Sequence, residues 1–130
     1  MILAVDPGRE KCGLALVEDD GAIQWRAVVP RVEAATRACE LLAQHKLAKL
    51  ILGHATTARD FQRELLALVP QLEIVTVNET NSTLEARALY WQSNAPRGWR
   101  KMLPLSLQEP PEPLDDFAAV VLARRFLARD

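Results

Sequence analysis

The stretch Ile2-Leu3-Ala4-Val5-Asp6-Pro7-Gly8-Arg9-Glu10-Lys11-Cys12-Gly13-Leu14-Ala15-Leu16-Val17 decides the fold. Its first four residues are a continuous apolar run that Asp6-Pro7-Gly8 stops at a turn, the pattern of a strand buried on both faces. Such a strand belongs in the middle of a sheet. Residues 12 to 17 read as a second strand, closed by the turn signal Asp19-Asp20-Gly21. Beyond it Ile23, Trp25, Ala27 and Val29 alternate with Gln24, Arg26 and Val28, which predicts a half-exposed third strand. Short turns on both sides make these three an antiparallel meander.

Past Pro30 the apolar period changes from two to about 3.6, with Val32, Ala35, Cys39 and Leu42 as the expected inner face of a crossover helix of about 16 residues. Lys49-Leu50-Ile51-Leu52-Gly53 is a short buried strand. Thr57 to Val69 is an amphipathic helix with Phe61, Leu65 and Leu68 inward, and Leu72 to Val77 is a fifth strand. Ser82-Thr83-Leu84-Glu85 has the spacing of a capping box, which makes Glu85 the partner of Ser82, and Leu84, Ala88 and Trp91 the inner stripe of the helix it opens. Residues 93 to 114 carry Pro96, Gly98, Pro104, Pro110, Pro111 and Pro113 and are expected to form a long irregular excursion, of the kind that is usually functional or mobile. A strongly apolar helix from Asp115 to Leu127 closes the chain. The order β-β-β-α-β-α-β-α-α describes one α/β domain over residues 1–130, with a five-stranded mixed sheet flanked by helices. If the later strands enter by right-handed crossovers, Asp6, Gly53-His54 and Asn78-Glu79 emerge at one edge of the sheet, beyond the carboxyl ends of its parallel strands.

Composition narrows the class. At 130 residues, 49% hydrophobic and 25% charged, the chain needs no disulfide or structural metal to fold. Cys12 and Cys39 have neither CxxC spacing nor a His pair, so they are expected to be reduced thiols, which fits a cytoplasmic location. No apolar run approaches the roughly 18 residues of a membrane span, and no signal-peptide pattern opens the chain, so no membrane partner is expected. The net charge of −1 excludes coating of nucleic acid by bulk positive charge. Locally the charges segregate: Arg87, Arg97, Arg100 and Lys101 occupy an acid-free stretch, followed by Glu109, Glu112, Asp115 and Asp116 without a base.

Three separated elements bring carboxylates to the same edge: Asp6 after the first strand, Glu79 after the fifth, and Asp115 with Asp116 at the start of the last helix. Strands one and five, two positions apart, would hold their side chains roughly 10 Å or less from one another. Packed carboxylates need a counter-charge, and all-oxygen ligation suits Mg²⁺ or Mn²⁺ better than zinc. Blander readings stay open for each acid. Asp6 is also a turn former, Glu79 a solvated loop acid, Asp115 an N-cap, and Asp116 a first-turn acid favoured by the helix dipole.

With these residues in view, the opening stretch through Val17 resembles that of the YqgF/RuvX family, in which an apolar strand ends in an Asp-x-Gly turn before a Gly-started strand. Asn78-Glu79-Thr80-Asn81-Ser82-Thr83-Leu84-Glu85-Ala86-Arg87 is similar to the family's second acidic motif, and Leu114-Asp115-Asp116-Phe117-Ala118-Ala119-Val120 to its terminal-helix motif. The resemblance implies an RNase H-like fold and a nuclease associated with 16S ribosomal RNA maturation, also described as a Holliday junction resolvase homologue. Its acidic site maps onto Asp6, Glu79 and Asp115, as catalytic and metal-holding residues. Two positions depart from the pattern. Thr80 stands where an Arg is usual, and His54 follows the fourth strand where the family has Gly-Leu-Pro, which makes His54 an accessory candidate beside Asp116.

The mechanism expected from these readings is two-metal phosphodiester hydrolysis. Asp115 is expected to bind metal, and Asp116 to serve the helix start, at a cost of under ~1 kcal/mol if replaced by Asn. The partner is nucleic acid, as structured RNA or as branched or single-stranded DNA. Arg97, Arg100 and Lys101 are the candidate phosphate contacts and Trp99 a stacking platform, with Arg124, Arg125 and Arg129 as the alternative grip. A non-catalytic nucleic-acid-binding module for ribosome assembly is the rival reading, favoured by Thr80. An ATPase of the actin or sugar-kinase type would need two copies of the fold. Monomer and homodimer are both compatible with the sequence.

Overall fold

The computed structural model describes residues 1–54, 57–78, 82–93 and 115–128, with backbone only at 82–84 and 91–93. Five strands, β1 (Ile2–Asp6), β2 (Lys11–Val17), β3 (Ile23–Pro30), β4 (Lys49–Gly53) and β5 (Glu73–Val77), form one sheet in the order β3-β2-β1-β4-β5. β1 and β2 pair antiparallel, as do β2 and β3, whereas β1–β4 and β4–β5 are parallel. The apolar run of residues 2 to 5 is therefore the central strand, as its lack of alternation required.

Two helical layers cover the sheet. Leu3, Val5, Cys12, Leu14, Leu16, Leu50 and Leu52 face α1 (Arg31–Gln44) and α2 (Ala58–Leu68). Ile2, Ala4, Ala15, Val17, Ile51 and Val77 face α4 (Asp115–Leu127). α3 (Ser82–Ser93) lies on the outside of α4 through Ala86 and Tyr90, which meet Phe117, Ala118 and Val121. Because α4 is enclosed by the sheet on one side and α3 on the other, residues 116 to 123 are all buried. That explains a helix apolar around its whole circumference. Among the described residues no helix is long and apolar enough to cross a membrane.

Three helix faces differ from the sequence expectation. In α1, Val32 is 88% exposed, and Ala34, Ala35, Ala38, Leu41 and Leu42 are buried. The small alanines let the helix axis come close to the sheet, which rotates Val32 outward. In α2, Ala58, Phe61 and Leu65 are inward but Leu68, in the last turn, is 55% exposed. In α3, Ala88 is exposed and Ala86 and Tyr90 are buried, because Tyr90 meets Phe117 edge-on at 5.9 Å between ring centroids. Of the excursion expected over 93–114, Ser93 ends α3 and residues 94–114 lie outside the described residues.

Candidate functional site

Asp6 ends β1 and shares the sheet face of Ile2 and Ala4, the face covered by α4. Its register partner across the β1–β2 ladder is Gly13. A Cβ added at Gly13 would lie 1.8 Å from the Asp115 carbonyl oxygen and 2.6 Å from the Asp116 nitrogen. Only a residue without a side chain lets the first turn of α4 settle there. Register and close approach together place the backbones of Asp6 and Asp115 on either side of Gly13, at the carboxyl end of the central strand. The turn between β1 and β2 also depends on a glycine, since a Cβ at Gly8 would meet the Lys11 carbonyl oxygen at 2.3 Å.

Asp115 is half-buried and has no hydrogen-bond or ion-pair partner among the described residues. Desolvation by burial pushes its carboxyl above the ordinary value, the neighbouring Asp116 adds to the rise, and Lys11 opposes it. Lys11 shares the sheet face of Gly13 and Ala15 by strand alternation. Beneath the turn, the fully buried Cys12 thiol is pushed up by burial, with a hydrogen bond toward the Gly8 carbonyl opposing it. It is a packed, unreactive thiol.

The adjacent acid has a different environment. Asp116 is 6% exposed, the one buried polar or charged side chain among the described residues. Its Oδ2 accepts a hydrogen bond of 2.6 Å from Arg26 Nη1 on β3, and its Oδ1 accepts one of 2.9 Å from the Phe117 amide. The Arg26 guanidinium also lies 4.1 Å from the centre of the Phe117 ring. Asp116 does stand in the first turn of α4, and it also holds this ion pair, which a role confined to the helix start does not include. Arg26 is 38% exposed and keeps access to water, so what a replacement removes is the bonding of the buried carboxylate.

His54 is exposed, and its backbone amide donates to the Val77 carbonyl at 3.1 Å, tying the ends of β4 and β5 together. The Thr57 hydroxyl donates to the Pro7 carbonyl at 3.1 Å, leaning the start of α2 against the β1–β2 turn. Glu85 is engaged beyond its own helix. Its Oε1 accepts from Arg125 Nη2 at 2.9 Å, while Arg125 Nη1 donates to the Asn78 carbonyl at 2.7 Å. Arg124 is likewise engaged, donating from Nε to the Gly21 carbonyl at 3.0 Å. Arg124 and Arg125 of the alternative grip thus spend some of their donors within the fold. Glu79, Thr80, Arg97, Trp99, Arg100, Lys101 and Arg129 lie outside the described residues. Among the described residues no group of three His, Cys, Asp or Glu side chains is placed to hold a metal ion. Of the expected set, Asp6 and Asp115 are described, and their backbones both adjoin Gly13.

Sequence reasoning missed Lys11 and Arg26. Lys11 is legible from the two-residue period of β2, which puts it on the face of Gly13. Arg26 carries no local signal, since its partner is 90 residues away.

Among solved structures, Thermus thermophilus RuvC is similar to this chain with a TM-score of 0.55 and 18% sequence identity, over 94% of this chain and 89% of that one. No protein-family profile and no curated protein matches the sequence. At that identity the likeness is one of fold, and it is the RNase H-like fold: a five-stranded mixed sheet with the β3-β2-β1-β4-β5 order and helices on both faces.

Proposed function

We propose that this chain is a divalent-metal-dependent nuclease of the YqgF/RuvX type, hydrolysing phosphodiester bonds in nucleic acid, with the precursor of 16S ribosomal RNA as substrate and the cytoplasm as its site of action. The observation that supports the reading is that the Asp6 and Asp115 backbones both adjoin Gly13, with Asp115 making no hydrogen bond or ion pair among the described residues beside a neighbour whose two oxygens are both bonded. An unpaired, half-buried carboxylate is costly to keep in a fold unless it serves a ligand.

The donor chemistry fits Mg²⁺ or Mn²⁺, because Asp6 and Asp115 offer hard oxygen ligands and the nearby Cys12 thiol is packed on the opposite, α1–α2 face of the sheet. Asp6, Glu79 and Asp115 are the residues assigned to hold the cations. Such cations supply, when bound, a more acidic water and stabilisation of the leaving oxygen. The chain's own residues do the rest. Gly13 admits the helix that carries Asp115, and Asp6 is held rigid by its place in the central strand. Arg9 in the β1–β2 turn and Lys11 at the start of β2, both exposed, are assigned to present positive charge to the substrate backbone. Arg97, Arg100 and Lys101 are assigned to further phosphates and Trp99 to stacking.

The test is incubation of the purified chain and of Asp6→Asn with Mn²⁺ or Mg²⁺ and labelled precursor rRNA, a four-way DNA junction, and single-stranded DNA. Cleavage of the rRNA that falls at least ~100-fold in Asp6→Asn is expected, since even outer-shell losses at metal sites cost about 10- to 100-fold. Preferential cleavage of the junction would transfer the reading to a resolvase. Binding without cleavage in either metal would transfer it to a non-catalytic assembly module.

A further inference from the structure

Asp116 is the one charged side chain that the described fold buries, and its charge stands next to that of Asp115. A second carboxylate one residue away would ordinarily compete for the same cation. Here both of its oxygens are occupied, Oδ2 by Arg26 and Oδ1 by the Phe117 amide. Arg26 reaches it from β3, the outer strand of the sheet, and its guanidinium lies on the Phe117 ring. A planar fork fixed both by a carboxylate and by a ring face holds one orientation, which lysine cannot reproduce in full.

We infer that Arg26 is a positioning residue: its ion pair with Asp116 cancels the charge of that carboxylate, keeps it from the cation, and leaves Asp115 as the acid of the pair that the site presents. This rests on the proposed metal-dependent reading. It differs from a purely structural role in the sign of one effect. A structural brace, once removed, loosens the site and weakens cation binding. Removal of Arg26 as a charge-cancelling partner instead adds a net negative charge beside the site, which strengthens cation binding while misplacing the cation for chemistry.

The experiment is titration of the full chain with Mn²⁺ alone, by calorimetry, in parallel with urea unfolding and cleavage. Arg26→Gln is expected to bind Mn²⁺ more tightly, on the order of tenfold for a divalent ion at close range in a partly screened site, and to cleave more slowly at saturating Mn²⁺. Asp116→Asn, which leaves Arg26 unpaired, is expected to shift the affinity the opposite way. The double variant Arg26→Gln/Asp116→Asn should return it toward wild type, and Arg26→Lys, which keeps the charge, should stay near wild-type affinity. Mn²⁺ affinity that is unchanged or weakened in a folded Arg26→Gln, with wild-type binding intact, overturns this inference alone. Absence of Mn²⁺ binding by the wild-type chain overturns the metal-dependent reading and this inference with it. If Arg26→Gln does not fold, weakened Mn²⁺ binding in Asp116→Asn that the double variant restores toward wild type supports the inference, and equal shifts in both overturn it.

Discussion

Replacing Gly13 by Ala tests the contact on which the site is built. The added Cβ would lie 1.8, 2.0 and 2.6 Å from the Asp115 oxygen, the Asp115 carbon and the Asp116 nitrogen, where ordinary contact begins at 3.4 Å. All three atoms are backbone at the start of a buried helix, so no side-chain rotation relieves the clash. The first turn of α4 must retreat by more than about 1 Å, and crowding of a packed core costs about 1–3 kcal/mol. Alanine recovers roughly 0.5–1 kcal/mol of that by its lower chain entropy in a strand. A modest loss in urea midpoint at constant slope is therefore expected. Activity is more sensitive than stability, because misplacement of about 1 Å can cost ~100-fold in rate. The retreat also carries Asp115 away from Asp6, so Mn²⁺ affinity should fall while the far-ultraviolet spectrum is unchanged. Gly13→Ala with wild-type midpoint and wild-type Mn²⁺ affinity would refute the close approach of α4 to β2, and with it the proposal that Asp6 and Asp115 serve one site.

Other outcomes follow from single residues. Burial raises the Asp115 carboxyl above its ordinary value, so the native state holds that proton more firmly than the unfolded chain. The resulting destabilisation is absent at pH below the ordinary carboxylate range, grows as pH rises toward the folded value, and is complete above it. Asp115→Asn should therefore be more stable than wild type at neutral pH without divalent cation and lose that advantage in acid, as read by urea melts across about pH 4 to 7. Asp116→Asn should instead lose about 1 kcal/mol at neutral pH by the same assay, because the charge-assisted bond between the buried carboxylate and the partly exposed Arg26 is lost. Arg125→Ala should cost about 1 kcal/mol by releasing the Asn78 carbonyl and Glu85, with the loss shrinking in high salt only for the Glu85 part. Leu52→Ala, at a fully buried position in β4, should cost about 2–5 kcal/mol and leave Mn²⁺ affinity near wild type if the chain remains folded.

The order and direction of the strands were legible in the sequence because each depends on short-range signals: the unbroken apolar run before Asp6, the turn at Asp19-Asp20-Gly21, and the change of period after Pro30. The boundaries of α4 were legible too, since Asp115 follows a proline-rich segment and opens an apolar run. Gly13 appeared in the sequence as the start of a strand, but its role as the seat of α4 required the helix to be in place. Tertiary structure alone decided how each helix is turned about its axis. Val32 and Ala88 fall at helical spacing with buried neighbours and are nonetheless exposed. Small residues at Ala34, Ala38 and Ala86 set the line of closest approach, and periodicity registers hydrophobicity but not size. The partners of charged side chains were equally hidden. Asp115 and Asp116 are the same residue type one position apart, and what separates them is an arginine 90 residues away on the outer strand. A helix advances about 100° per residue, so successive side chains meet different surroundings. The chemistry of each acid is set by what the rest of the fold places there.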